Sequence, residues 1–261
     1  MLDVNKNENG IVTITLNRPD LHNAFNEEMI LGLISEFEKV SFDSTARVVV
    51  LKGNGPSFCA GADLNWMKKT KSFTEEENLA DSLKLAKLFQ VINDCELAVV
   101  AVVHGAALGG GVGLVAACDH VIALDSVKFG LTEVRLGLVP AVISPYVIRK
   151  IGESNARSLF LSGRRFSAEE ALKFNLIHEV CASAEDLNAR AQESITDFLS
   201  AAPQAQKQAK KLIRIVTNTK HAREEINVKV CEIIAKVRTS SEGQEGMEAL
   251  LNKRTPKWQK K

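Results

Sequence analysis

Apolar residues recur along this chain with two different periods, and the two alternate. Residues Ile11–Leu16 set apolar side chains against Thr, which predicts a half-buried strand closing at the turn signal Asn17-Arg18-Pro19-Asp20. Met29, Leu33, Phe37 and Val40 then recur at helical spacing. Residues 47–51 form a short β-branched run, stopped by Gly53-Asn54-Gly55-Pro56. A second helical face carries Leu85, Leu88, Phe89 and Ile92, and strand-like runs follow at 97–103 and at His120–Leu124, separated by glycines. Strand followed by helix, repeated, predicts an α/β core.

The last third has helical spacing only, over 168–174, Ala184–Ser200, 204–216, 223–237 and 242–252. Ile226, Val230, Ile233 and Val237 make one apolar stripe, and Ser240 and Ser241 are capping candidates for the final helix. These patterns divide the chain into an α/β core over 1–195 and a helical C-terminal region over 196–261. The stripe must pack on its own core or on another subunit.

Residues 97–118 lack Asp, Glu, Lys and Arg, a length that can span a membrane. They carry His104 and five glycines, which break a lipid-facing helix. A buried strand, a glycine turn and a buried helix account for the same residues. Across 261 residues, 33 Lys and Arg stand against 32 Asp and Glu, for a net charge of +1, and 5% are aromatic. That balance gives no electrostatic footprint for nucleic acid and few stacking platforms, so a small partner is expected. Cys59, Cys95, Cys118, Cys181 and Cys231 are odd in number and widely spaced, without C-x-x-C. They read as buried small hydrophobes in a reducing compartment, not as a zinc site or a disulfide framework. The first ten residues hold neither an apolar h-region nor an Arg-rich amphipathic stretch, and a cytoplasmic protein is expected.

Two glycine-containing turns carry candidate chemistry. One is Phe58-Cys59-Ala60-Gly61-Ala62-Asp63-Leu64; the other is Gly105-Ala106-Ala107-Leu108-Gly109-Gly110-Gly111, which opens a helix. Small residues let backbone N–H groups approach a ligand, and a helix N-terminus adds positive potential. Two such groups from separate loops can form an oxyanion hole, whereas the same glycines can serve tight packing alone. Spacing leaves both open. Gly111-Val112-Gly113-Leu114-Val115-Ala116 also fits a dinucleotide fingerprint, but it lies in mid-chain and Asp125 follows too soon for a normal crossover. Glu133 stands between apolar neighbours, where desolvation raises a carboxyl pKa toward acid–base use; an ion pair with Arg135 competes and is favoured on sequence alone. His104 reads as a packed strand residue and Asp119 as a loop or capping group. The pairs Lys68-Lys69, Lys210-Lys211 and Lys260-Lys261 read as solvated faces.

Taken in order, these segments resemble the enoyl-CoA hydratase/isomerase (crotonase) superfamily over nearly the whole chain. The matching stretches are Leu16-Asn17-Arg18-Pro19 with Asn23-Ala24-Phe25-Asn26, the two glycine turns, Glu133 with Leu136-Gly137-Leu138-Val139-Pro140, and the last helix from Glu245-Gly246-Met247 to Trp258. The resemblance implies a spiral of ββα units with a helical C-terminal region, assembled as a trimer or hexamer. It further implies an acyl-CoA thioester ligand, with no cofactor beyond the coenzyme A of the substrate and no metal. By position, the N–H groups of Ala62 and Gly110 hold the thioester oxygen and Glu133 is the catalytic carboxylate. The substrate pocket maps to Arg18, Ala24, Phe25, Ala60, Asp63, Leu64 and Gly109, with Lys253 a phosphate contact.

Two departures stand out. Typical two-glutamate hydratases carry a second glutamate where this chain has Gly113, and Ala141-Val142-Ile143-Ser144-Pro145-Tyr146 replaces a Gly-rich stretch. The latter, with Leu131-Thr132-Glu133-Val134-Arg135, resembles the methylglutaconyl-CoA and carboxygeranoyl-CoA hydratases of leucine and terpenoid breakdown. The resemblance therefore implies a hydratase of a branched or carboxylated 2-enoyl-CoA such as 3-methylglutaconyl-CoA. One carboxylate also suits a 3,2-enoyl-CoA isomerase, and a CoA- or RNA-binding protein with little catalysis is the reading from another class. Arg135 and Tyr146 are further candidate substrate neighbours.

Overall fold

The computed structural model describes residues 1–217 and 222–259. The chain divides into two compact units, Met1–Glu193 and Ser194–Lys261.

The first unit is built on two sheets. Strands β1 (Leu2–Lys6), β2 (Ile11–Leu16), β3 (Val48–Gly53), β4 (Ala98–Val103), β6 (His120–Leu124) and β9 (Glu179–Cys181) form one sheet in the order β1-β2-β3-β4-β6-β9. Only the edge pair β1–β2 is antiparallel. Strands β5 (Ala106–Leu108), β7 (Lys128–Gly130) and β8 (Arg165–Phe166) form the second. Strands β4 and β5, one in each sheet, and then α4 (Gly110–Ala117) make one ββα unit. Every side chain of the central strand β4 is buried, as befits a parallel strand covered on both faces. Helix α1 (Glu27–Phe42) buries Met29, Ile30, Leu33, Phe37 and Val40, and α3 (Glu75–Asp94) buries Leu88, Phe89 and Ile92; the two pack together over the core. Asn26 caps α1 by accepting from the N–H of Met29, and Thr74 with Glu77 forms a capping box on α3.

Residues 97–118, the charge-free run, are therefore a strand, a short strand and an eight-residue helix. Among the described residues no helix is long and apolar enough to cross a membrane. Cys59, Cys95, Cys118 and Cys181 are buried, but Cys231 is exposed, which corrects the expectation of five buried thiols. It follows Val230 on helix α9 (Arg223–Thr239) and so falls off the apolar stripe. His104 lies just past β4 rather than within it, half-buried, with Nε2 2.8 Å from the carbonyl of Gly55. Asp119 is a loop group whose carboxylate accepts from the N–H of Val99.

In the second unit, α8 (Pro203–Val216), α9 and α10 (Ser241–Leu251) pack on one another. Ser240 caps α10, and the carboxylate of Glu242 accepts from the N–H groups of Gln204 and Ala205 at the start of α8. The stripe Ile226, Val230, Ile233 and Val237 is half-buried. Lys68, Lys69 and Lys211 are exposed and Lys210 is half-buried; Lys260-Lys261 lies outside the described residues.

Candidate active site

Two loops are stitched together before either reaches a ligand. The N–H of Cys59 donates to Ala106 and the N–H of Leu108 donates to Cys59, both at 3.0 Å, so Cys59 and Ala107 form a parallel bridge. A second parallel bridge joins Phe25 and Ala62: Phe25 donates to Gly61 at 2.7 Å and accepts from Asp63 at 2.8 Å. In a parallel bridge the bonded residue uses both of its groups on the residues flanking its partner. The N–H of Ala62 therefore faces away from Phe25 and is left for another acceptor.

Gly110 is the first residue of α4, where a helical N–H has no partner within the helix. Its predecessor Gly109 adopts φ 50°, ψ −115°, a backbone that a side chain would strain, and donates its own N–H to Gly130. These bonds leave two N–H groups, one from each loop, beside one cleft of about 410 Å³ lined by both Ala62 and Gly110.

Glu133 enters the same cleft from a 310 turn, Glu133–Leu136, closed by Gly137 in the left-handed region. A β-carbon on Gly109 would lie 3.2 Å from its Oε1, so the carboxyl sits against the glycine turn. Its Oε2 is buried without a hydrogen-bond partner among the described residues. Burial pushes the Glu133 carboxyl above the ordinary range, against a smaller opposing pull from a backbone hydrogen bond. The expected ion pair with Arg135 is corrected here: Arg135 Nε donates to the Ser162 carbonyl at 3.3 Å, and the side chain packs against Gly163. No ion pair joins Glu133 to Arg135 among the described residues, because the 310 turn sends neighbouring side chains in different directions.

Of the residues marked in the sequence, Phe25, Ala60, Ala62, Leu64, Gly109, Gly110 and Glu133 line the cleft. Arg18, Ala24 and Asp63 do not. Arg18 Nη2 pairs with the Asp63 carboxylate at 2.7 Å, and Nη1 donates to the Ala24 carbonyl at 2.6 Å. Asp63 also caps α2 (Leu64–Thr70), accepting from the N–H groups of Asn65 and Trp66. Burial raises the Asp63 carboxyl, but the Arg18 hydrogen bond and the two backbone donors outweigh it and hold it below the usual range. Lys253 belongs to the second unit, in left-handed backbone just past α10. Neither Arg135 nor Tyr146 lines the cleft. Trp66, Met67, Ser82 and Leu85 do, on α2 and α3, and periodicity gave no sign of it. The remaining wall is Leu136, Leu138, Val139 and Pro140 with residues 141–143. Gly113 is buried behind that wall, under Ile143 and Phe89.

Residues 6–261 match the family model described as enoyl-CoA hydratase/isomerase. The chain belongs to the enoyl-CoA hydratase/isomerase family. Among solved structures, an enoyl-CoA hydratase from Shewanella pealeana is similar at 40% identity and a TM-score of 0.94, covering 98% of this chain and 95% of that one. Enoyl-CoA hydratase ACTT6 of Alternaria alternata is 33% identical across 89% of this chain and 76% of its own. The 2,3-dehydroadipyl-CoA hydratase of Escherichia coli is 31% identical over 94% of both. The architecture is the crotonase fold, and the protein is a hydratase, a lyase of acyl-CoA thioesters. For an enzyme of this family, paired N–H groups and a desolvated carboxyl facing one cleft are the parts that enolate chemistry requires.

Proposed function

We propose that the protein adds water to a branched 2-enoyl-CoA thioester, with Ala62 and Gly110 holding the thioester oxygen and Glu133 handling the protons. The observation that carries this reading is Glu133, among the described residues the only titratable side chain lining a cleft that also presents those two N–H groups. As water attacks C3, the Glu133 carboxylate takes one of its protons; the electrons of the double bond move onto the thioester, making an enolate. The two N–H groups stabilise the enolate oxygen. Glu133 then delivers the same proton to C2, so one carboxylate completes a net addition of water. Its raised pKa brings proton uptake and release closer to neutral pH.

The cleft lining favours a hydrocarbon acyl group. It is mainly apolar; among the described residues it holds no Lys, Arg or His to pair with a distal carboxylate, and Ser82 and Thr132 supply its only hydroxyls. The carboxylated candidate, 3-methylglutaconyl-CoA, rests on the stretches 131–135 and 141–145 alone. An isomerase reading rests on the single carboxylate, which can move a proton between C2 and C4 without water. Purified protein on crotonyl-CoA, 3-methylcrotonyl-CoA, 3-methylglutaconyl-CoA and a 3-enoyl-CoA separates these by product mass. A gain of one water supports the hydratase; a mass-neutral product from the 3-enoyl thioester alone assigns the isomerase.

We further propose a homotrimer or a dimer of trimers, held through the second unit. Helices α8 and α9 bury no side chain, and Leu250 and Leu251 are 78% and 82% exposed at the end of α10. Apolar surface of that kind calls for a partner.

A further inference from the structure

Helix α4 supplies the Gly110 N–H, and three residues later, on the same face, comes Gly113. What covers that face changes within the turn. At Gly110 a β-carbon would meet the ring of Phe25, 2.6 Å from Cε2; at Gly113 it would meet Ile143 Cγ2 at 2.3 Å and Phe89 Cε1 at 2.8 Å. Phe25 and Ile143 both line the cleft, whereas Gly113 does not. Ile143 therefore stands between α4 and the cleft, in the space a side chain from 113 would need.

The wall is fixed rather than adaptable. Ile143 is 3% exposed, and its carbonyl accepts from the N–H groups of Tyr146 and Val147 as α5 (Ser144–Ser162) begins. Phe89 is wedged edge-on against Phe25, with ring centroids 6.5 Å apart, and lies 6.0 Å from the ring of Tyr146. The two departures seen in the sequence, Gly113 and the stretch containing Ile143, are one feature: the methyl group of one occupies the place of the other's side chain.

We propose that Ile143 is the specificity-determining residue of this cleft, closing the α4 side with hydrocarbon and selecting uncharged acyl groups branched at the reacting end. This rests on the reading of the cleft as an enoyl thioester site. A branch methyl is desolvated against Ile143, while an unbranched chain leaves that contact unmade; one such group in an apolar pocket changes kcat/KM by about 10-fold or more. The same packing makes Gly113→Glu incompatible with Ile143, and Ile143→Gly makes room for it.

The test compares dehydration of 3-hydroxy-3-methylbutyryl-CoA with that of 3-hydroxybutyryl-CoA by wild type, Ile143→Ala and Ile143→Val. The ratio of the two kcat/KM values should fall about 10-fold in Ile143→Ala and less in Ile143→Val. If Ile143→Ala does not fold, a fall in Ile143→Val carries the result. In parallel, Gly113→Glu alone should lower Tm, and Gly113→Glu with Ile143→Gly should recover part of that loss. A merely structural Ile143 would shift Tm but leave the acyl ratio unchanged. A ratio within about twofold of wild type in every folded Ile143 variant overturns the inference, as does a Gly113→Glu protein with wild-type Tm and acyl ratio. Wild type inactive on every enoyl and 3-hydroxyacyl thioester overturns the functional reading and this inference together; turnover with an unmoved ratio overturns the inference alone.

Discussion

The Glu133 carboxyl lines the cleft with its Oε2 buried and without a hydrogen-bond partner among the described residues. An ionised carboxylate with one oxygen buried and unpaired destabilises the fold, and burial raises its pKa. The sign of the consequence follows. A carboxyl whose folded pKa lies above its unfolded value costs stability once pH exceeds the unfolded value, and the cost is full above the folded one. Glu133→Gln should therefore raise Tm at neutral and alkaline pH, with the gain shrinking as pH falls, while kcat drops by ~10²–10⁴. Calorimetry across pH, set beside turnover, checks both; a variant less stable than wild type at pH 8 would contradict the buried-charge account. Gly110 gives the second residue-scale test. A β-carbon there meets Phe25, so Gly110→Ala should displace the ring or the N–H and cost ~10²–10³ in kcat. At this scale the sequence was half legible. The small residues and Glu133 stood out as types, but the Arg135 side chain turns to Ser162, and chain neighbours alone do not tell an ion pair from a 310 turn that separates them.

At the scale of elements, the cleft depends on how α2 is fastened. Arg18 and Asp63, with side chains 12% and 6% exposed, tie the turn after β2 to the N-cap of α2, where Asp63 accepts from the helix's first N–H groups. Breaking a buried ion pair from one side costs about 3–5 kcal/mol. Arg18→Ala should show a loss of that order in denaturant unfolding, with KM affected more than kcat because α2 carries Leu64, Trp66 and Met67 into the cleft. Asp63 has a depressed pKa, so its contribution is present above the unfolded carboxyl value and is lost as pH falls through the folded one. Asp63→Asn should flatten the acid side of the wild-type stability profile; equal acid sensitivity in both proteins would count against the pair. Periodicity found β2, α1, α3, β4 and most C-terminal helices, since each presents a long apolar face. It did not reach β5, β7 and β8, only two or three residues each, nor α5, in which Gly152 breaks the helical backbone. The three short strands are specified by their neighbours in the second sheet, not by their own pattern.

At the scale of the molecule, the second unit leaves apolar surface on α8, α9 and α10 uncovered, including Ile213, Val228 and Leu250. Sedimentation equilibrium should give a trimer or hexamer, and Leu250→Lys with Leu251→Lys should lower the assembled mass without unfolding the first unit. A wild-type monomer would refute that assembly. The α/β core was legible in the alternation of strand and helix periods, whereas the ββα repeat was implied by the family resemblance, because β5, β7 and β8 leave no periodic signal. The cleft was not legible, because Trp66, Ser82, Leu85 and Ile143 come together only through the fold.

The most direct test of the central claim, hydration carried by one carboxylate, follows solvent oxygen into product. Wild type and Glu133→Gln are supplied with 3-methylcrotonyl-CoA in heavy-oxygen water, with crotonyl-CoA in parallel. The expected result is a 3-hydroxyacyl thioester bearing solvent oxygen from wild type and little or none from the variant. Label incorporated equally by both proteins would show that Glu133 does not handle the protons of the added water, and the single-carboxylate mechanism would fall.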